Sequence, residues 1–114
     1  MKTRTVFLLP PILAAGMDLL FKDSLVSADA IISKTMPIFL SEIASRPALS
    51  VEERVWRKGH EGYVRFNRAI EPAALNRFNA MAKAKNMPRN YLMAQYLIWL
   101  DRSEYGNALR LLKA

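Results

Sequence analysis

The chain has 114 residues, no cysteine and a net charge of +7. Its length fits one compact domain or two very small ones, and its 52% of apolar residues exclude wholesale disorder. The lack of cysteine excludes disulfides and thiolate metal sites and favours a reducing cytoplasm, and no apolar run reaches the roughly 18 residues that a membrane span needs.

The positive charge is concentrated in the second half of the chain. Residues 1–45 carry four basic and four acidic side chains, whereas residues 63–101 carry six basic and two acidic ones. Such an excess suits nucleic acid or another anionic surface as a partner. A generic basic protein is the alternative that charge alone leaves open.

The first segment, "MKTRTVFLLPPILAAGM", imitates a secretory signal. Pro10 and Pro11 interrupt its apolar run, however, and a signal segment prefers to be helical, so we expect it to be part of the fold. The β-prone run over residues 3–8 predicts a short strand that ends at the prolines.

Two helices are predicted after this strand, in "ILAAGMDLLFKDSL" and in "VSADAIISKTMPIFLSEI". Ser27 is the expected N-cap of the second helix. Pro37 should make the end of that helix irregular or kink it.

A connecting segment is predicted over residues 46–62. Ser50 precedes Glu53 by three positions, a capping-box pattern that could start a short helix, and Trp56 could anchor that helix to the core. His60 lies in a polar stretch and is interpreted as a solvated loop residue, because a histidine metal site needs convergent partners.

Period-two alternation predicts a second strand over residues 64–70. One alternate set is mostly apolar and should face the core: Val64, Phe66, Arg68 and Ile70. The other set should face outward: Tyr63, Arg65, Asn67 and Ala69. For Arg65 and Asn67, an ordinary solvated strand face is the alternative to a functional one.

Pro72 opens a predicted helix, "PAALNRFNAMAKAKN", and Asn86 is suited to end it in the left-handed conformation. Pro88 opens the next helix. Apolar spacing places these side chains in the core: Leu75, Phe78, Met81, Ala82, Leu92 and Tyr96.

The two halves follow the same order of strand, proline, helix, turn and helix. Pro10 aligns with Pro72 and Leu13 with Leu75 without a gap, which predicts a diverged internal duplication, with chance similarity as the alternative. We therefore expect a mostly α fold with a short two-stranded antiparallel ribbon, in which strand 3–8 pairs with strand 64–70. The expected units are 1–45, 46–62, 63–101 and a helical tail, 102–114.

The strand "R-x-N-x-A" formed by Arg65, Asn67 and Ala69, followed by "IEPAALNRFNAMAKAKNMPRNYLMAQYL", resembles the ribbon-helix-helix family of DNA-binding proteins of the Arc, MetJ and CopG type. Residues 2–41 resemble it in outline. The arrangement of both units in one chain resembles that of the TraY-type relaxosome accessory proteins. The resemblance implies a tandem ribbon-helix-helix fold with pseudo-twofold symmetry within one chain, and a ribbon that enters the DNA major groove.

The resemblance also implies the contact residues. The outward strand positions would read bases: Thr3, Thr5 and Phe7 in the first unit, and Arg65, Asn67 and Ala69 in the second. This set leaves Arg4 on the inward face of the first strand. The start of the second helix in each unit would hold phosphate, at Ser27 and Ala28 and at Arg89 and Asn90. Because the two strands differ, an asymmetric target is expected.

The expected function is sequence-specific binding of double-stranded DNA, either by a transcriptional repressor or by an accessory factor at a plasmid transfer origin. No motif has catalytic or metal-ligand spacing, so neither an enzyme nor a cofactor or metal site is expected. Expected partners are duplex DNA and, by resemblance, a relaxase or other protein; the protein would be a tandem-unit monomer or a homodimer. The alternative is a protein-interaction module, such as an antitoxin or a phage-encoded inhibitor, that uses the leucines of the tail: Leu109, Leu111 and Leu112.

Overall fold

The computed structural model describes residues 2–45 and 62–112. Within these ranges the elements, in chain order, are β1 (Thr3–Leu9), α1 (Pro11–Phe21), α2 (Ala28–Ala44), β2 (Val64–Ile70), α3 (Pro72–Ala84), α4 (Arg89–Arg102) and α5 (Glu104–Leu111). The predicted mostly helical class with a two-stranded antiparallel sheet is confirmed. The predictions for the connecting segment, which concern Ser50, Glu53, Trp56 and His60, fall outside the described residues.

The two strands form one antiparallel ribbon, in which Thr3 lies opposite Ile70 and Leu9 lies opposite Val64. A lone strand leaves its backbone amides and carbonyls without partners, and the ribbon supplies those partners. One face of the ribbon covers the core with side chains that are at most 2% exposed: Phe7, Leu9, Phe66 and Ile70. Burial of each such side chain contributes about 1.5–3 kcal/mol.

The helix termini follow local sequence chemistry. Prolines occupy the first position of α1 and of α3, where the missing amide hydrogen is not needed. Ser27 is the N-cap of α2, as predicted, and its Oγ accepts a hydrogen bond from the Ala30 amide at 3.2 Å. Asn86 has a φ of 54° at the end of α3, also as predicted. The helix α2 continues past Pro37 to Ala44, so this proline does not end it.

The core is organised around α4. This helix contacts β1, α1, α2, α3 and α5, and seven of its fourteen residues are buried, which is why its sequence lacks a distinct polar face. Phe78 of α3 meets Phe7 of β1 edge to face, with ring centroids 5.6 Å apart. The predicted core positions Phe78, Leu92 and Tyr96 are fully buried, and Leu75 and Met81 pack against the core from its rim.

The register corrects the face assigned to the first strand. Residues directly opposite one another in a ribbon share a face, so Thr3, Thr5 and Phe7 lie on the inner face together with Phe66 and Ile70. The prediction that these three residues face outward is wrong, and Arg4 is an outward residue. The error arises from aligning Pro10 with Pro72, because a shift of one residue moves every side chain of a strand to its other face.

A strand and two helices occur in the same order in each half of the chain, and their first residues are 61 positions apart. The paired elements begin at Thr3 and Val64, at Pro11 and Pro72, and at Ala28 and Arg89, so all three pairs have this separation. No gap is needed between the strand and either helix. With this spacing, Pro72 aligns with Pro11 and not with Pro10, and each of these two prolines is the first residue of a helix.

Two pairs of residues with this separation are in direct contact. Val6 lies opposite Asn67 at the centre of the ribbon. In the core, the hydroxyls of Thr35 on α2 and Tyr96 on α4 are 2.7 Å apart, and the Thr35 Oγ1 also donates to the carbonyl of Ile31. Residues that are 61 positions apart thus contact each other both at the ribbon and where α2 meets α4.

Among the residues of β1 and β2 that face inward, Arg68 is the one with a charged side chain. Its guanidinium lies 4.1 Å from the centroid of the Phe66 ring and binds the Asp18 carboxylate of α1 at 3.1 Å. Its side chain keeps 20% exposure. Arg68 lies opposite Thr5 and not opposite Arg4, so the two arginines do not face each other.

Gly106 provides a test of the packing of α5 against α4. A Cβ atom at this position would lie 2.4 Å from the backbone oxygen of Leu100, a distance that backbone cannot accommodate without moving. We expect Gly106→Ala to lower the free energy of unfolding by about 1–3 kcal/mol, measured by chemical denaturation. The matched control is Gly16→Ala in α1, where nothing lies within 4 Å and alanine should be neutral or stabilising. Equal effects of the two substitutions would contradict this packing.

The buried phenol of Tyr96 predicts a loss of stability at alkaline pH. Burial raises the pKa of Tyr96 above its ordinary value of 10.0, and the hydrogen bond with Thr35 opposes this in part. The unfolded phenol therefore ionises first, so its contribution to stability is complete below pH 10 and decreases as the pH rises above it.

We expect Tyr96→Phe to lower the free energy of unfolding by about 1 kcal/mol near neutral pH and to flatten its decline above pH 10. Tyr105→Phe is the control and should keep the wild-type decline, because Tyr96 is still present. Denaturation curves recorded at a series of pH values measure both quantities, and a decline of equal slope in the Tyr96→Phe variant would contradict the assignment.

Candidate nucleic-acid interface

The outer ribbon face is the side of the ribbon turned away from the helices. It consists of Arg4, Val6 and Leu8 from β1 and of Arg65, Asn67 and Ala69 from β2. Arg4, Arg65 and Asn67 are exposed, Val6 is 40% exposed, and Leu8 and Ala69 are half-buried. The predicted outward positions of the second strand are therefore confirmed in their orientation.

The two arginines of this face are unpaired among the described residues. Within residues 2–45 and 62–112, the Arg4 and Arg65 side chains form neither hydrogen bonds nor ion pairs. Arg4 lies opposite Ala69 and Arg65 lies opposite Leu8, so the guanidinium groups project from diagonal corners of the face. Two free cations on an otherwise uncharged surface can bind anions or hydrogen-bond acceptors.

The predicted readers of the first strand occupy other places. Thr3 is exposed at the end of β1 but on the inner face. The Thr5 Oγ1 accepts a hydrogen bond from Arg89 at 2.8 Å, and Phe7 is fully buried beneath the ribbon. Arg4 is the functional candidate that the sequence alignment missed. The separation of 61 residues from Arg65 would have revealed it.

The N-terminus of α4 covers the free edge of β1. The Asn90 Oδ1 accepts a hydrogen bond from the Leu8 amide at 3.0 Å, and the Arg89 guanidinium donates to the Val6 carbonyl at 3.3 Å and to Thr5. Arg89 also lies 4.3 Å from the centroid of the Phe7 ring. Both predicted phosphate-contact residues of the second half are thus engaged with the ribbon. Burial lowers the pKa of Arg89 from its ordinary value, yet the side chain stays cationic at neutral pH.

The N-terminus of α2 lies beside β2 and leaves a cleft. This cleft has a volume of about 220 Å³ and brings Ser27 and Ala28 close to Asn67 and Ala69 of the ribbon. Arg4 also lines it, but so does the acidic Asp29, which replaces the neutral Asn90 of the other half. The two flanks of the outer ribbon face therefore differ. Side chains of α4 bind the ribbon on one flank, whereas an open cleft with an acidic residue lies on the other.

The C-terminal tail is helical from Glu104 to Leu111, and it is divided between core and surface. Leu109 is buried, whereas Leu111 is 85% exposed, so one leucine of the predicted partner surface packs within the domain. Arg110 forms an ion pair with Asp101. The Leu25 amide donates to the Leu112 carbonyl at 2.9 Å, which ties the end of the chain to the turn between α1 and α2.

No cluster of three potential metal ligands occurs within the described residues, and none of the described helices combines the length and the apolar character that a membrane span requires. Comparison of the sequence with protein-family models and curated proteins, and of the chain with solved structures, gives no match.

The contacts of Arg89 predict a structural role that can be measured without a ligand. Arg89→Ala removes hydrogen bonds to Thr5 and Val6, and we expect it to lower the free energy of unfolding by about 1–2 kcal/mol. The control is Arg77→Ala on α3, an exposed arginine without a hydrogen bond or ion pair in the described part of the chain, and it should change stability by less than about 0.5 kcal/mol. Equal stability of the two variants would show that Arg89 does not hold the ribbon edge.

Proposed function

We propose that the protein binds double-stranded DNA sequence-specifically and inserts the outer ribbon face into the major groove. The observation that supports this most is the pair of arginines, Arg4 and Arg65, on the exposed face of a two-stranded ribbon, where neither has a partner within residues 2–45 and 62–112. The major groove is wide enough for a two-stranded ribbon, and arginine and asparagine are suited to guanine and adenine edges. We propose a binding protein without catalytic activity.

The arrangement of the two halves supports the proposed kinship with ribbon-helix-helix proteins. In a twofold arrangement, a residue touches its own counterpart only on the axis. Val6 and Asn67 do so at the ribbon, and Thr35 and Tyr96 do so in the core, so a line through these two contacts is the pseudo-twofold axis that we propose. The axis leaves the protein through the centre of the outer ribbon face, where a duplex with its own dyad would dock.

The helix termini that flank the ribbon support a role in orienting the duplex. The first amides of a helix lack intrahelical partners, and the helix dipole favours an anion there. At α2, Ser27 and Ala28 border a cleft that is open beside the ribbon. At α4, the side chains of Arg89 and Asn90 bind β1, so the backbone amides and not these side chains would meet phosphate. Such contacts position the protein and specify no sequence.

A repressor at an operator and an accessory factor at a plasmid transfer origin are the two biological roles we propose for this activity. Both present the same kind of duplex to the outer ribbon face, and a protein partner such as a relaxase would bind elsewhere on the chain. The absence of cysteine is in keeping with the cytoplasmic location that either role requires.

A protein-interaction module is the second candidate function. Leu25 and Leu111 are 68% and 85% exposed, and the hydrogen bond from Leu25 to Leu112 places these leucines near one another. Exposed leucines that lie together are typical of a docking surface. Salt separates the two functions, because DNA affinity falls steeply with salt through counterion release, whereas leucine-mediated docking hardly responds.

A salt titration tests the proposed function directly. The protein is titrated with a selected duplex and with random duplex at several salt concentrations, by fluorescence anisotropy. We expect the logarithm of the association constant to fall linearly with the logarithm of the salt concentration, with a slope of about −0.9 for each phosphate contacted. An affinity that does not change with salt, or the absence of duplex binding, would refute the proposal.

Arg65→Ala tests the reading role of the outer ribbon face. We expect it to weaken binding to the selected duplex by about 1–3 kcal/mol and to weaken binding to random duplex much less. The control is Arg102→Ala, which removes the same charge at the far end of α4, about 20 Å from the ribbon edge, and should affect both duplexes slightly. An equal loss on both duplexes in the Arg65→Ala variant would show that Arg65 contributes charge without reading sequence.

A further inference from the structure

The outer ribbon face is symmetric at two positions and asymmetric at the others. Arg4 and Arg65 are counterparts at a separation of 61 residues, and they are the same amino acid. Val6 and Asn67 are counterparts at the centre, and Leu8 and Ala69 are counterparts at the remaining corners, and in both pairs the residues differ. The two cations of the face therefore obey the proposed twofold symmetry, whereas its other side chains do not.

The positions of the arginines fix their relation to a duplex. Each arginine lies two residues from the central pair, in opposite directions along the ribbon. At about 3.4 Å per residue, the two backbone positions are separated by roughly 14 Å along the ribbon. Because the strands are antiparallel and the proposed axis passes between them, two residues related by this axis approach opposite strands of a duplex that is centred on the same axis.

From this geometry we infer that the protein recognises an imperfect inverted repeat, in which Arg4 and Arg65 read two guanines on opposite strands that flank a non-palindromic centre. This inference rests on the proposed function and replaces the wholly asymmetric target that the sequence predicts. The guanines lie roughly three to six base pairs apart, given the separation of the arginines and the reach of their side chains.

The centre of the target is read by two different side chains. Asn67 can form a bidentate pair with adenine, whereas Val6 offers only an apolar surface, which suits a thymine methyl group. Val6 is 40% exposed and Asn67 is exposed, so both are accessible to base edges. The two flanking guanines alone would let the protein bind the site in two opposite orientations. The contacts of Asn67 and Val6 with the central base pairs favour one of them.

Selection of binding sites from a random duplex library tests the inference, with the wild-type protein and the single variants Arg4→Ala and Arg65→Ala. The wild type should enrich two guanines on opposite strands. Each variant should lose one guanine and keep the other, with affinity for the wild-type site reduced roughly 5- to 150-fold. Arg102→Ala is the control and should keep both guanines.

The outcomes separate this inference from the proposed function. If the wild type enriches no sequence and binds no duplex, the proposed function fails. If the wild type enriches a site but the guanines lie on one strand, or a single variant removes both or neither of them, DNA binding stands and the inference is overturned. Thermal unfolding should be nearly unchanged in both variants, because neither arginine side chain forms a hydrogen bond or an ion pair with another described residue.

Val6→Asn provides a second test that removes no charge. It places asparagine at both central positions and makes the centre of the face symmetric. We expect the selected site to become palindromic at its centre, with adenine enriched on both strands, while the flanking guanines remain. A centre that stays asymmetric in this variant would overturn the assignment of Val6 and Asn67 to opposite halves of the site.

Discussion

The pairing of β1 with β2 is the constraint on which the rest of the structure depends. Each strand has only seven residues, and neither could satisfy its backbone groups or bury its apolar face alone. The paired strands place Phe7, Leu9, Phe66 and Ile70 against the helices. The opposite face of the ribbon is left in solvent. The buried face and the candidate interface thus arise from a single hydrogen-bonded register.

Much of the fold follows from local sequence signals. The strand at 64–70, the N-cap at Ser27 and the left-handed Asn86 were all predictable, because alternation, capping and turn chemistry act over a few residues. Which side of the first strand faces the core was not predictable. The run Val6 to Leu9 is apolar at every position, so periodicity gives no face, and the double proline allows two alignments of the halves that differ by one residue.

The candidate site was predictable only in the half where the sequence alternates. Arg65 lies between Val64 and Phe66 and Asn67 follows Phe66, which makes the alternation visible, whereas Arg4 lies between two threonines and gives no such signal. The contacts of Arg89 also could not be anticipated, since they join positions more than 80 residues apart in the sequence. Such contacts depend on how α4 meets the ribbon edge, which is a tertiary property.

The covalent connection of the two halves has a consequence for how the ribbon forms and varies. Ribbon formation within one chain is unimolecular, so dilution does not separate the strands as it would separate two subunits. A ribbon made by identical chains must also carry every substitution twice. Here Val6 faces Asn67, and Asp29 stands where the other half has Asn90, so each half is free to specialise by itself.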